Sequence, residues 1–127
     1  MIKCIMTVDD SPTIRSSISF CLKNAGYDVI NAVDGQDATE KLKQIRVEGR
    51  SLSLIITDIN MPQMDGITFI KNVKKSDFRF IPIIVLTTEG DIEMIEKGKD
   101  AGAAGWLVKP FQPEQLLWAV KRLIWLK

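Results

Sequence analysis

Leu52-Ser53-Leu54-Ile55-Ile56-Thr57-Asp58-Ile59-Asn60-Met61-Pro62 is an apolar run that ends on a carboxylate and is then broken by a proline. Residues Leu52 to Thr57 show neither the two-residue alternation of a half-exposed strand nor the length of a helix. They read as a strand with apolar neighbours on both faces. Lys3 to Val8, Asp28 to Ala32, Pro82 to Thr87 and Gly105 to Val108 have the same character. Strands of this kind need helices to cover them, and the intervening stretches supply them.

Ile14, Ile18, Leu22 and Ala25 recur at helical spacing behind Ser11, a good N-cap, and Pro12, which suits the first helical position. Gly26 then stops that helix. Further helices are predicted from Gln36 to Val47, from Ile67 to Lys75, near Ile92 to Asp100, and from Pro113 onward, the last turning Leu116, Leu117, Val120, Leu123 and Ile124 inward. The helix near Ile92 is the weakest of these, because Gly98 within it and Gly90 at its entrance each cost about 1 kcal/mol if helical. That makes it the element readiest to shift. Five strand–helix units with right-handed crossovers predict an α/β, flavodoxin-like (βα)5 fold: a doubly wound, five-stranded parallel sheet, with residues 1–127 as one domain.

Composition narrows the function. Apolar residues make up 46% and charged residues 26% of the chain, the balance of an ordinary globule. With 17 basic against 16 acidic residues the net charge is +1, so no bulk field draws the protein to nucleic acid or to an anionic membrane. No apolar stretch approaches the roughly 20 residues of a membrane span, and Ile2 to Val8 is too short for a signal-peptide core. The expected location is the cytoplasm. Cys4 and Cys21 lack any CxxC spacing and read as reduced packing residues rather than zinc ligands. The chain has no histidine, which removes every histidine-based triad and any phosphohistidine carrier role.

In open parallel sheets, ligands bind beyond the carboxyl ends of the strands. Here the first strand runs into Asp9 and Asp10, the third into Thr57 and Asp58, the fourth into Thr87 and Thr88, and the fifth into Lys109. Taken singly, each has an ordinary alternative: Asp9 and Asp10 complementing the first helix, Thr87 as a strand residue, Lys109 as a solvated charge. Taken together they converge on one cleft. Carboxylates a few ångströms apart repel by roughly 4 kcal/mol per close pair at an effective dielectric near 20. A hard divalent cation such as Mg²⁺ would neutralise them through oxygen ligands. Such a metal, a lysine and a threonine hydroxyl around a carboxylate suit phosphoryl transfer, with Asp58 as nucleophile.

Four blocks complete the pattern: Val8-Asp9-Asp10-Ser11; Thr57-Asp58-Ile59-Asn60-Met61-Pro62 with Asp65-Gly66; Leu86-Thr87-Thr88-Glu89; and Gly105-Trp106-Leu107-Val108-Lys109-Pro110-Phe111. Together they resemble the receiver domain of two-component response regulators, most closely the single-domain chemotaxis (CheY-like) type, and the likeness spans essentially the whole chain. The resemblance implies the strand order 2-1-3-4-5. It also implies that Asp58 accepts a phosphoryl group from a phosphohistidine on a histidine kinase. Asp10, Asp58 and the backbone carbonyl of Asn60 would hold Mg²⁺, with Asp9 acting through bound water. Lys109 would pair with the phosphoryl oxygens and Thr87 would turn its hydroxyl toward them. Lys109-Pro110 is similar to a cis peptide that the family uses to aim this lysine, and Asn60 and Glu89 stand where similar proteins tune the lifetime of the acyl phosphate.

By the same resemblance, Thr87 and the aromatic at position 106 form a switch read out on the fourth helix, fifth strand and fifth helix. The chain departs from the common pattern here. Trp106 replaces the usual tyrosine or phenylalanine, so an indole that swings inward and an indole that stays packed are both open. Trp118, Arg122 and Trp125 share a stripe on the last helix. Either they wrap onto the core edge, or they form a docking face for a partner or a second copy. The expectation is a monomer, with a homodimer through the last helix as the alternative. With no DNA-binding segment after that helix, output is expected through a downstream protein such as a flagellar motor switch, or through a phosphate-sink role. The competing enzymatic reading is a Mg²⁺-dependent aspartate-nucleophile phosphatase, disfavoured because Asn60 stands where its second acid would be. A flavin-binding protein of this fold is disfavoured because Asp9 and Asp10 would repel its phosphate.

Overall fold

The apolar runs pair side by side in a single parallel sheet. In chain order the elements are β1 (Cys4–Val8), α1 (Pro12–Asn24), β2 (Asp28–Ala32), α2 (Gly35–Glu48), β3 (Leu54–Asp58), α3 (Gly66–Lys74), β4 (Ile83–Thr88), α4 (Ile92–Ala101), β5 (Gly105–Lys109) and α5 (Pro113–Trp125). The computed structural model describes residues 2–61, 63–88 and 92–125, the last without its side chain. The sheet order is β2-β1-β3-β4-β5, with every neighbouring pair parallel. This is the flavodoxin-like α/β fold.

Alternation along each strand divides the core in two. Met6, Ile55, Ile83 and Val85 face α2, α3 and α4, packing with Leu42, Phe69 and Ile70. Ile5, Leu54, Ile56, Ile84 and Leu86 face the other way and meet Ile18 and Leu22 of α1 and Leu116 and Val120 of α5. Only β1, β3 and β4 are buried on both faces, with β4 opening at its last residue. β2 and β5 are the edge strands, as the order 2-1-3-4-5 requires, but contrary to the reading of their apolar runs they are not buried on both faces, and β5 is partly exposed along its length. An apolar run is compatible with either place, because the count of covering helices falls at the sheet margins.

Helix ends follow local chemistry. The Ser11 hydroxyl accepts the Ile14 N–H at 3.3 Å with Pro12 at the first helical position. Gly26 takes φ +98°, allowing Gly26 N–H to bond the Lys23 carbonyl and Tyr27 N–H that of Leu22, which closes α1. Asp34 and Asp65 cap α2 and α3 by accepting the Asp37 and Thr68 N–H groups at 2.8 and 2.9 Å. These helices therefore begin one residue earlier than apolar spacing alone indicates. The weak helix near Ile92 does form, and Gly98 within it lies against β4: an added Cβ would sit 3.5 Å from Val85 Cγ2. Gly90 and Glu89 lie outside the described residues. Among the described residues no helix is long and apolar enough to cross a membrane.

Candidate functional site

β1 and β3 are neighbours, yet the chain leaves them for opposite faces, toward α1 and α3. This opens a crevice at their carboxyl ends. Asp9 follows β1 directly, while Asp58 and Lys109 are the last paired residues of β3 and β5, one position deeper in the ladder than the apolar runs suggest. Their Cα positions are thus held by sheet hydrogen bonds.

Asp9 and Asp58 are buried, whereas Asp10 is exposed. Each offers a carboxylate oxygen, and these oxygens all lie within 4.8 Å of one another. The long stem of Lys109 crosses the end of β4 to reach them: its Nζ donates to Asp9 Oδ2 at 3.1 Å and to Asp58 Oδ2 at 3.2 Å. Asp58 Oδ1 accepts the Ile59 N–H at 2.8 Å, and Asp9 Oδ1 accepts the Ser11 N–H at 2.9 Å. Burial pushes the Asp58 carboxyl above its ordinary value; Lys109 pulls it back, and the charge of Asp9 adds to the rise.

Three carboxylates against one ammonium leave two negative charges in excess when all are ionised. An oxygen-only donor set with one exposed member fits a hard divalent cation that keeps part of its water. Asp9, Asp10 and Asp58 could hold such an ion. Asn60 lies two residues past β3 and is exposed.

Thr87 is buried, and its hydroxyl has no hydrogen-bond partner among the described residues. Trp106 of β5 pairs in register with Val85, two residues before Thr87, so both side chains have the parity of the α4 side of the sheet. The indole is 43% exposed, and Lys99 Nζ lies 4.1 Å from its centroid. It is an outward ring under a cation, not a packed one. On α5, Trp118 is 62% exposed with Arg122 stacked at 4.7 Å, so it does not wrap onto the core. The Trp125 side chain lies outside the described residues. Cys4 is buried and Cys21 half-buried, both free, with burial raising both thiols. Lys109-Pro110 is cis.

Sequence reasoning missed two contributors, Lys99 and Arg15, and quoted a third, Gly66, in the family pattern without a role. Gly66 brings the α3 entrance against β3: its N–H donates to the Ile59 carbonyl at 2.7 Å, and an added Cβ would sit 2.4 Å from the Asp58 carbonyl oxygen. Lys99 covers Trp106, and Arg15 bonds the Asp9 carbonyl. A lone arginine near a helix start was a readable signal, since the dipole there disfavours it. The other two depend on nonlocal approach.

Residues 5–121 match the family model described as the response regulator receiver domain. The chain belongs to this family. This receiver is 40% identical over 114 residues to the chemotaxis protein CheY1 of Helicobacter pylori, covering 88% of this chain and 89% of the relative. It is 37% identical over 118 residues to protein PilG of Pseudomonas aeruginosa, covering 92% and 84%. Among solved structures, the chemotaxis response regulator CheY4 of Vibrio cholerae is similar at a TM-score of 0.88 and 43% identity, covering 97% of this chain and 99% of that one. The receiver is thus a CheY-like phosphoacceptor module of two-component signalling, a signalling protein and not a classical enzyme.

Proposed function

We propose that Asp58 takes a phosphoryl group from a phosphohistidine of a histidine kinase in a chemotaxis-type pathway in the cytoplasm. The observation that carries this reading is the buried Asp58 carboxylate, oriented by the Ile59 N–H and by Lys109 beside Asp9 and Asp10. An Asp58 oxygen forms the new P–O bond as the P–N bond of the donor breaks, and the imidazole leaves with the bonding pair and is protonated by solvent. Asp10, Asp58 and the Asn60 carbonyl would hold Mg²⁺, with Asp9 acting through water. The ion supplies charge neutralisation for the incoming phosphoryl oxygens. Lys109 supplies a further positive charge, already held at Asp58 by its second contact to Asp9.

The Thr87 hydroxyl, which lacks a partner among the described residues, would donate to a phosphoryl oxygen. Trp106 would then turn from under Lys99 toward the space beside Thr87, changing the α4, β5 and α5 surface. That surface carries Trp118 and Arg122, and helical spacing in the sequence assigns Trp125 to the same stripe. It is the proposed docking face for a downstream protein such as a flagellar motor switch, with a second copy through α5 as the alternative to a monomer. Replacing Trp118 and Trp125 by polar residues should weaken target binding. Unchanged affinity and unchanged oligomeric state would remove the docking role.

The central test treats the protein with Mg²⁺ and acetyl phosphate. Intact mass should rise by about 80 daltons for one phosphoryl group, and tryptophan fluorescence should change. Asp58→Asn should show neither effect, and Trp106→Phe assigns the fluorescence. A mass increase that survives Asp58→Asn would overturn the acceptor assignment.

A further inference from the structure

Arg15 is the fourth residue of α1, where the positive end of the helix disfavours a cation. Its half-buried guanidinium turns back, and Nη1 donates to the Asp9 main-chain carbonyl at 2.6 Å. Among the described residues no carboxylate pairs with it. The other polar groups of Asp9 are also engaged: N–H with the Ala32 carbonyl at 3.2 Å, Oδ1 with Ser11 N–H, and Oδ2 with Lys109. Asp10 differs. It is exposed, and no side chain or backbone group among the described residues hydrogen-bonds its carboxylate.

The Asp9 carbonyl belongs to the same planar peptide unit as the Asp10 nitrogen and Cα. A donor that fixes the direction of that carbonyl therefore fixes where the Asp10 side chain starts. We propose that Arg15 is a positioning residue for the metal site. By holding the Asp9–Asp10 peptide plane, it keeps the otherwise unrestrained Asp10 carboxylate beside those of Asp9 and Asp58. The inference rests on the Mg²⁺ reading above and deepens it by one residue outside the ligand set.

Electrostatics and positioning have opposite signs here, which makes the test decisive. Removing a fixed positive charge near an acidic cluster would tighten binding of a dication, whereas losing the positioning bond weakens it. Arg15→Met keeps the apolar stem and deletes the donors. Calorimetric titration with Mg²⁺ at fixed pH and ionic strength should show about tenfold weaker affinity than the unsubstituted protein, in the range for groups that orient metal ligands. Arg15→Lys should regain part of the loss. A merely structural role would lower the Mg²⁺-free unfolding midpoint and leave the affinity unchanged. Equal or tighter Mg²⁺ binding by Arg15→Met overturns the inference. No Mg²⁺ binding by the unsubstituted protein overturns the metal reading itself, and this inference with it. If Arg15→Met does not fold, Arg15→Leu, which also lacks donors, carries the same comparison.

Discussion

Thr87→Val should make the receiver more stable and unresponsive at once. The Thr87 side chain is buried, and its hydroxyl is left without a hydrogen bond among the described residues. A buried polar group in that state costs about 1–3 kcal/mol. Valine has nearly the same shape, suits a strand and carries no polar atom. Taking the lower half of that range, the variant gains about 1–2 kcal/mol. Unfolding entropy near 2.1 cal/mol/K per residue converts this, for a chain of this length, into a midpoint higher by roughly 4–8 °C. Circular dichroism melting in magnesium-free buffer reads that number. In the same preparation, Mg²⁺ with beryllium fluoride should change the fluorescence of the unsubstituted protein and leave Thr87→Val largely silent. An unchanged or lowered midpoint would mean that the hydroxyl already has a partner, and the proposed free donor would be lost. A full fluorescence response in the variant would refute the switch. The trade is physically reasonable: a donor reserved for a transient ligand weakens the resting fold.

Three further outcomes follow from the same geometry. Burial raises Asp58 above its ordinary value of 3.8, so the folded state holds that proton more tightly than the unfolded chain. Its stabilising contribution is present below that value and is lost as pH rises through the raised one. In magnesium-free buffer the stability advantage of Asp58→Asn should therefore widen as pH rises from about 3.8, and a constant gap in urea titrations would contradict the shift. Gly66→Ala would place a Cβ 2.4 Å from the Asp58 carbonyl oxygen and 2.6 Å from Ile59 Cα. Neither backbone atom can yield cheaply, so the variant should lose about 1–3 kcal/mol and phosphorylate more slowly; wild-type stability and rate would count against the close approach. Lys99→Met removes a cation worth about 0.5–1 kcal/mol over the Trp106 face. An outward ring so released should lower the half-saturating beryllium fluoride concentration about two- to fivefold, and an unchanged value would show that Lys99 does not hold the ring.

The inner strands, the alternation with helices and the strand-end placement of Asp9, Asp58, Thr87 and Lys109 were legible because each is a property of contiguous residues. An apolar run shows where a strand lies, and the polar residue that ends it shows where the strand meets solvent. Ser11 and Pro12 likewise announced α1 through chemistry confined to four positions. The caps Asp34 and Asp65 were equally local but were outweighed by apolar spacing, which sees only buried positions. The incomplete burial of β2 and β5 was hidden, because an apolar run says that a strand is apolar and not how many helices cover it; their edge placement came only with the order that the family resemblance implied.

What the chain determined by itself was therefore the set of groups that could meet: carboxylates, a lysine and a hydroxyl at the ends of separate strands. Tertiary structure decided how they meet. Asp9 is buried and Asp10 exposed although they are adjacent, Lys109 spans two carboxylates from a strand that touches neither of theirs, and Trp106 lies outward under Lys99. Each of these depends on sheet register and side-chain reach across large sequence separations, and hydrogen bonds and ion pairs change steeply over a single ångström that no periodicity records.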